Sequence, residues 1–459
     1  MSIPTVLVLP CPGQGHVIPM MTFSQKLAEQ GCTIIFVNTE FNHKKVVSSM
    51  AKQESIINGA SSSIKLVSIP DGLEADNDRR DIGELFESIT NYMPAMFEKL
   101  IEEIHLNGDH RIICIVADVI MGWAMEVAQK RGIRGALFWT ASATTFALVC
   151  SIPMLIQNGI IDSEGMADTK KTFQLSPSMP IMGGDSIWWS SMNDSLTEKI
   201  VFNHMLRCMQ HANLTDWWLC NTAYELEPAS LSFVPKLLPI GPLLRSYDNT
   251  CANATSLGQF WEEDQSCMSW LDQQPHRSVL YVAFGSFTLF DQNQFTEIAL
   301  GLKLTNRPFL WVVRQDYNSK NKMTYPNEFT GHQGKIVGWA PQQKVLNHPA
   351  IACFVSHCGW NSTLEGLSNG VPFLCWPYFA DQIYDKIYIC DELKVGLGFS
   401  TNENGLVPCG EIKAKVDKLL NDENIRSRSL VIKEKVFGNL MEDGCSSKNL
   451  SRFIKWLKA

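Results

Sequence analysis

Basic residues are scarce in this chain: 39 lysines and arginines face 47 aspartates and glutamates, for a formal net charge of −8. That balance argues against a nucleic acid or an anionic membrane surface as partner. Cys-x-x-Cys spacing is absent despite 14 cysteines. Cys114, Cys353 and Cys375 sit inside apolar, strand-like runs, so buried reduced thiols are expected rather than a disulfide or zinc framework. No apolar run reaches the roughly 18 residues a membrane span needs. The N-terminus has no basic region ahead of its first apolar run, which is itself too short for a secretory signal. A cytoplasmic protein with no integral membrane segment is expected.

A chain of 459 residues is too long for one compact core, so two domains are the prior. Residues 6–9, 34–37, 64–69, 112–117 and 136–139 read as buried parallel strands. Helical faces lie between them: Met20, Phe23 and Leu27, closed by Gly31, and later Ala124, Val127 and Ala128. The stretch 159–194 breaks this βαβ rhythm and reads as a loop. The polar, turn-rich stretch 245–258 reads as an interdomain linker. The rhythm restarts at 278–284, 309–313, 335–338, 351–355 and 372–376. Two such halves fit an α/β protein of two Rossmann-like, doubly wound parallel-sheet domains facing a cleft, over 1–245 and 246–441. A last helix in 442–459 carries Leu450, Phe453, Ile454 and Leu457 on one face.

The densest chemistry lies between Trp339 and Gln382. Residues 351–355 suit a buried strand. Ser356-His357-Cys358-Gly359-Trp360 turns the chain, and Asn361-Ser362-Thr363-Leu364-Glu365 opens a helix, with Ser362 and Glu365 at capping-box spacing. A helix start presents unpaired N–H groups and partial positive charge, which favours phosphate. His357, Asn361 and Ser362 add side-chain donors there. A second strand, 372–376, runs into Tyr378-Phe379-Ala380-Asp381-Gln382. Ligands of open α/β sheets bind beyond the carboxyl ends of strands. Donors followed by acceptors at such ends suggest a phosphate with a polyol beside it.

Over its full length this window, WAPQQKVLNHPAIACFVSHCGWNSTLEGLSNGVPFLCWPYFADQ, resembles the signature box of plant family 1 UDP-glycosyltransferases. The resemblance implies the GT-B fold, an acceptor-binding first domain, a UDP-sugar-binding second domain, a last helix packed back on the first, and a monomer. It implies that Trp339 stacks on uracil with Ala340 and Gln342 beside it, and that Glu365 binds the ribose hydroxyls. His357, Asn361 and Ser362 would hold the diphosphate; Trp360, Asp381 and Gln382 would hold the sugar. A final glutamine is associated with glucose donors in that family, so Gln382 points to UDP-glucose.

His16 follows the first strand, in Pro12-Gly13-Gln14-Gly15-His16, and Pro19 suits the first turn of the helix beyond it. Asp118 closes the strand at 112–117 and could alternatively be a helix cap. Both point to one edge of one sheet. An aspartate holding one imidazole nitrogen makes the other a better base. The resemblance implies that His16 deprotonates the acceptor hydroxyl with Asp118 as its partner, giving a β-glucoside by inversion. It further implies that Ser286, in the Gly285-Ser286 turn, joins the diphosphate site and Thr140 the sugar site. Phe379, Trp123, Trp189 and Phe202 are candidate walls for a small, flat, apolar alcohol or phenol, such as a flavonoid, phenolic or terpenoid. UDP-glucose is then a co-substrate, and no cofactor or metal is expected. Three other readings compete. Gly13-x-Gly15 with Glu40 resembles a dinucleotide fingerprint, though Ile18 stands where its third glycine belongs. Asp76-Asn77-Asp78 could hold a divalent ion, though its polar surroundings read as a solvated loop. A sugar-nucleotide sensor without turnover would use the same scaffold.

Overall fold

The computed structural model describes residues 4–51, 63–106, 111–190, 192, 194–244, 257–314, 323–326 and 333–459. The chain forms two compact units, Met1–Trp261 with Asn439–Ala459, and Glu262–Gly438.

In chain order the strands of the first unit are β1 (Thr5–Leu9), β2 (Thr33–Thr39), β3 (Ile64–Ile69), β4 (Ile112–Asp118), β5 (Arg134–Trp139), β6 (Thr172–Phe173), β7 (Met182–Gly183), β8 (Trp217–Cys220) and β9 (Leu237–Pro239). Those of the second are β10 (Val279–Ala283), β11 (Phe309–Val312), β12 (Gly334–Val337), β13 (Ile351–Ser356), β14 (Phe373–Cys375) and β15 (Gly396–Gly398). Seven strands of the first unit make a parallel sheet in the order β3-β2-β1-β4-β5-β8-β9. The second unit's sheet is parallel in the order β12-β11-β10-β13-β14-β15. Strand order reverses between β1 and β4 in one sheet and between β10 and β13 in the other. Such reversals open a crevice at the carboxyl edge, where ligands of doubly wound sheets bind.

The first helix, Gln14–Glu29, buries Met20, Phe23 and Leu27 and ends as the sequence suggested. Gly31 takes φ +82°, with Gly31 N–H on Ala28 O and Cys32 N–H on Leu27 O, a Schellman closure. The helix begins earlier than Pro19 implied, however. Gly13 is its N-cap, and Pro19 lies inside it rather than in its first turn. The described residues of the 159–194 segment form the short antiparallel pair β6–β7 and two single 3₁₀ turns, Gly184–Ser186 and Trp188–Ser190.

The polar stretch expected as the linker lies largely outside the described residues, at 245–256. The first unit continues beyond it because residues 259–260 bond to the first unit's helices. Gln14 Nε2 donates to Gln259 Oε1 at 2.6 Å, Phe260 N–H to Gln14 Oε1 at 3.1 Å, and Ser49 Oγ to Gln259 O at 2.7 Å. The last helix, Cys445–Lys458, packs on the same unit. Phe453 and Leu457 are buried in its core, a contribution of about 1.5–3 kcal/mol each. Arg134 donates to the carbonyls of Trp456 and Leu457, at 2.8 Å each, satisfying that helix's last turn.

Candidate functional site

His16 stands in the first turn of Gln14–Glu29, just after β1, and Asp118 is the last residue of β4. The two therefore meet in the β1/β4 crevice. His16 Nδ1 lies 2.7 Å from Asp118 Oδ2, with the imidazole 33 % exposed and the carboxylate fully buried. Asp118 Oδ1 accepts the Ile120 backbone N–H at 2.9 Å. The cap and the histidine partner are thus one residue using two oxygens. A carboxylate can only accept, so Nδ1 carries the proton and Nε2 is the basic nitrogen of the ring. Thr140, just past β5, places Oγ1 2.9 Å from the same Nδ1.

Two residues that the sequence reading missed support this edge. Glu227 is buried and accepts from Ala143 N (2.8 Å), Thr144 N (2.9 Å), Thr144 Oγ1 (2.9 Å) and Thr222 Oγ1 (2.6 Å). Burial pushes its carboxyl pKa up, opposed by those donors. It anchors the start of the helix Ala143–Cys150, and so the segment that carries Thr140. His204, from the helix Ser195–Ala212, lies between Thr90 Oγ1 (2.9 Å from Nδ1) and Ile120 O (2.7 Å from Nε2). Burial pushes its pKa down to about 4. Its signal in the sequence was a histidine on the apolar face that also carries Val201, Met205 and Cys208.

The aromatic candidates divide. Trp189 has no accessible surface, donates Nε1–H to Gly165 O at 3.1 Å, and packs 6.2 Å from Phe202, itself 1 % exposed. In this structure both are interior packing, with no surface for an acceptor to touch. Trp123 is buried edge-on to Phe97 at 5.5 Å, and its indole Nε1 has no hydrogen-bond partner among the described residues. Phe379, in the second unit, is half-buried and stacks on Phe287 at 4.7 Å.

In the second unit, Gly285-Ser286 follows β10 and His357 follows β13, at the β10/β13 crevice. The helix Trp360–Asn369 starts there. Its N-cap is Gly359, not Ser362 as the capping-box spacing suggested. Ser362 sits one position further into the first turn than Asn361, and its Oγ accepts from Gln342 Nε2 at 2.8 Å. A Cβ on Gly285 would stand 2.5 Å from His357 Nε2, and one on Gly359 2.6 Å away, so glycine on both sides gives the ring its seat. Burial, with the nearby Arg314 charge adding to it, pushes the His357 pKa down to about 4. The ring is neutral at physiological pH, and its buried Nδ1 has no hydrogen-bond partner among the described residues. A site with an unmet buried nitrogen beside a helix start fits an incoming polar ligand such as a diphosphate.

Arg314 was not anticipated. It is 4 % exposed and donates to Gly285 O at 2.6 Å and Thr288 O at 3.0 Å, bracing the loop that presents Ser286. Cys358 (φ +67°) and Ala380 (φ +55°) hold left-handed conformations unusual for residues with a side chain, a kind of strain that clusters at functional sites.

Trp339 is half-buried and its carbonyl accepts Asp264 N–H at 2.9 Å; Ala340 is buried beside it. Gln342 Nε2 also donates to Glu365 Oε2 at 2.6 Å. Asn361 is half-buried and Trp360 buried. Gln382, beside Asp381 at the start of Gln382–Ile387, accepts Tyr378 N–H (2.9 Å) and Phe379 N–H (3.3 Å) on Oε1. Two backbone donors fix that end of the amide as oxygen and so the other end as NH₂.

In the acidic run at 76–78, Asp78 pairs with Arg80 at 2.8 Å, and Asn77 Nδ2 donates to Glu84 Oε2 at 2.7 Å. Among the described residues no group of three or more His, Cys, Asp or Glu gathers as a metal site would. Nor, among them, is any helix long and apolar enough to cross a membrane.

A family profile described as "UDP-glucoronosyl and UDP-glucosyl transferase" matches residues 248–434. UDP-glycosyltransferase 83A1 of Arabidopsis thaliana is 44 % identical, over 100 % of this chain and 98 % of its own. The 7-deoxyloganetin glucosyltransferase of Catharanthus roseus is 32 % identical, over 99 % and 97 %. A solved complex between a UDP-glucosyltransferase from Polygonum tinctorium capable of glucosylating indoxyl and 3,4-dichloroaniline aligns with a TM-score of 0.82. It covers 100 % of both chains at 26 % identity.

Proposed function

Because the chain belongs to the plant family 1 UDP-glycosyltransferases, we propose that it moves glucose from UDP-glucose to a hydroxyl of a small apolar acceptor, with inversion. It is a glycosyltransferase of GT-B fold, built on the two parallel-sheet units described above. The observation that carries the finer reading is the His16–Asp118 contact, which fixes the tautomer and leaves Nε2 as a base.

In this reading the acceptor's hydroxyl proton passes to His16 Nε2. The oxygen forms a bond to the anomeric carbon as the bond from that carbon to the diphosphate oxygen breaks, and the electron pair leaves with UDP. Attack from the face opposite UDP turns the α-linked donor into a β-glucoside. Buried Asp118 stabilises the imidazolium that forms. Charge growing on the departing diphosphate is met by the start of Trp360–Asn369 and by Ser286, His357, Asn361 and Ser362. Trp339, Ala340, Gln342 and Glu365 hold the uridine, and Thr140, Trp360, Asp381 and Gln382 the glucose. The NH₂ end of Gln382 supports a sugar hydroxyl as its partner.

The acceptor class rests on relatives whose names give 7-deoxyloganetin and indoxyl as glucosylated compounds, and on the half-buried aromatic ring of Phe379. A cytoplasmic monomer using no metal completes the reading. The test is UDP release by the purified protein given UDP-glucose, EDTA and a panel of flavonoids, phenols and terpenoid alcohols. Release matched by a glucosylated product is expected. Turnover that EDTA abolishes, or UDP-glucose binding with no turnover on any acceptor, would contradict it.

A further inference from the structure

Tyr281 stands in the middle of β10, 1 % exposed, its ring stacked on Phe354 of β13 with centroids 5.0 Å apart and planes 24° from parallel. Packing alone would be met by phenylalanine, since a central parallel strand favours apolar side chains. The hydroxyl therefore needs its own explanation, because burying one without a partner is costly. It donates to Gln342 Oε1 at 3.1 Å. Burial above all, then the Glu365 charge, holds the phenol pKa well above its usual value, so the donor proton is always present.

That one contact orders three residues. With Oε1 fixed by the phenol, Gln342 turns its NH₂ toward the helix Trp360–Asn369. There it donates to Ser362 Oγ at 2.8 Å and Glu365 Oε2 at 2.6 Å. Both recipients are acceptors toward this donor, so the amide has one orientation that satisfies the whole cluster. Without the phenol the amide loses its anchor on the sheet, and Ser362 and Glu365 lose a fixed neighbour.

We propose that Tyr281 is a positioning residue for the nucleotide end of the donor, acting through Gln342 on Ser362 and Glu365 without touching the nucleotide. This rests on the reading of the β10/β13 crevice as the UDP-sugar site. A positioning role at the nucleotide end predicts a particular kinetic signature: weaker binding of UDP and UDP-glucose, with the chemical step unchanged once the site is filled.

The test is Tyr281→Phe, which keeps the ring and removes only the hydroxyl. Losing one anchoring hydrogen bond is expected to weaken UDP binding by calorimetry about 3- to 10-fold. KM for UDP-glucose should rise in parallel, and kcat at saturating UDP-glucose should be unaltered. Placed on top of Gln342→Ala, Tyr281→Phe should add nothing, because its route is already cut. Three results would overturn the role of Tyr281 alone, given a wild type that binds UDP: unaltered UDP affinity and KM in Tyr281→Phe; a lowered thermal midpoint with unaltered affinity; or full additivity with Gln342→Ala. A wild type that binds no UDP would overturn the donor-site reading, and this proposal with it.

Discussion

Asp118 divides its carboxylate between two partners: Oδ2 lies 2.7 Å from His16 Nδ1, and Oδ1 accepts Ile120 N–H at 2.9 Å. The backbone donor makes Asp118→Asn informative. It would hold the amide oxygen at the Oδ1 position and turn the NH₂ toward His16. Facing a donor, Nδ1 must accept, so the proton moves to Nε2 and the base is lost. Turnover should fall about 100- to 10,000-fold, as if the base had been deleted. UDP affinity measured by calorimetry should not change. Near-normal turnover in Asp118→Asn would exclude the tautomer argument.

Gln382→Glu separates the two ends of the amide. Glutamate can still accept Tyr378 and Phe379 N–H, which offsets part of the cost of a carboxylate at this buried position, so the thermal midpoint should fall but the protein should stay folded. It cannot donate to a sugar hydroxyl. kcat/KM for UDP-glucose should drop about 10- to 100-fold while affinity for UDP, which has no sugar, stays constant. Equal losses for both ligands would place Gln382 outside the sugar site.

Gly285→Ala addresses the seat of His357. At φ +69° an alanine costs about 1–2 kcal/mol of backbone strain, and its Cβ would stand 2.5 Å from His357 Nε2. KM for UDP-glucose should rise and the thermal midpoint should fall, both read in one preparation. An unchanged KM would show that the ring's position is unimportant to the donor.

His204 sets an acid sensitivity of stability. Its folded pKa is about 4, below the 6.5 of the free side chain, so between these values the unfolded chain binds the extra proton. Stability is then full above about pH 6.5 and falls toward pH 4, by at most about 3 kcal/mol from this residue. His204→Gln, whose amide NH₂ can replace Nε2–H toward Ile120 O, should show a shallower fall of the urea midpoint over that range. Identical acid slopes in the two proteins would contradict this assignment.

Much of this was legible in the chain itself. Runs of Val, Ile and Leu marked the central strands, and the 339–382 window supplied β13, β14 and the helix Trp360–Asn369 in one stretch because its residues are close in sequence. The helix starts were not legible at Pro19 and Ser362. Caps depend on the backbone angles of the preceding residue, which here made Gly13 and Gly359 the caps. Arg314, Glu227 and Tyr281 escaped because their partners lie far along the chain: Gly285 is 29 residues from Arg314, Ala143 84 from Glu227, and Gln342 61 from Tyr281. Trp189 and Phe202 were candidates by residue type alone, and composition does not say which side of a helix or turn meets the core.

The most direct test of the central claim is turnover of His16→Ala relative to wild type, at saturating UDP-glucose, on an acceptor that the wild type glucosylates. The account predicts a loss of about 100- to 10,000-fold with UDP affinity retained, since the base and the donor site are built on different sheets. Turnover close to wild type in His16→Ala would contradict it.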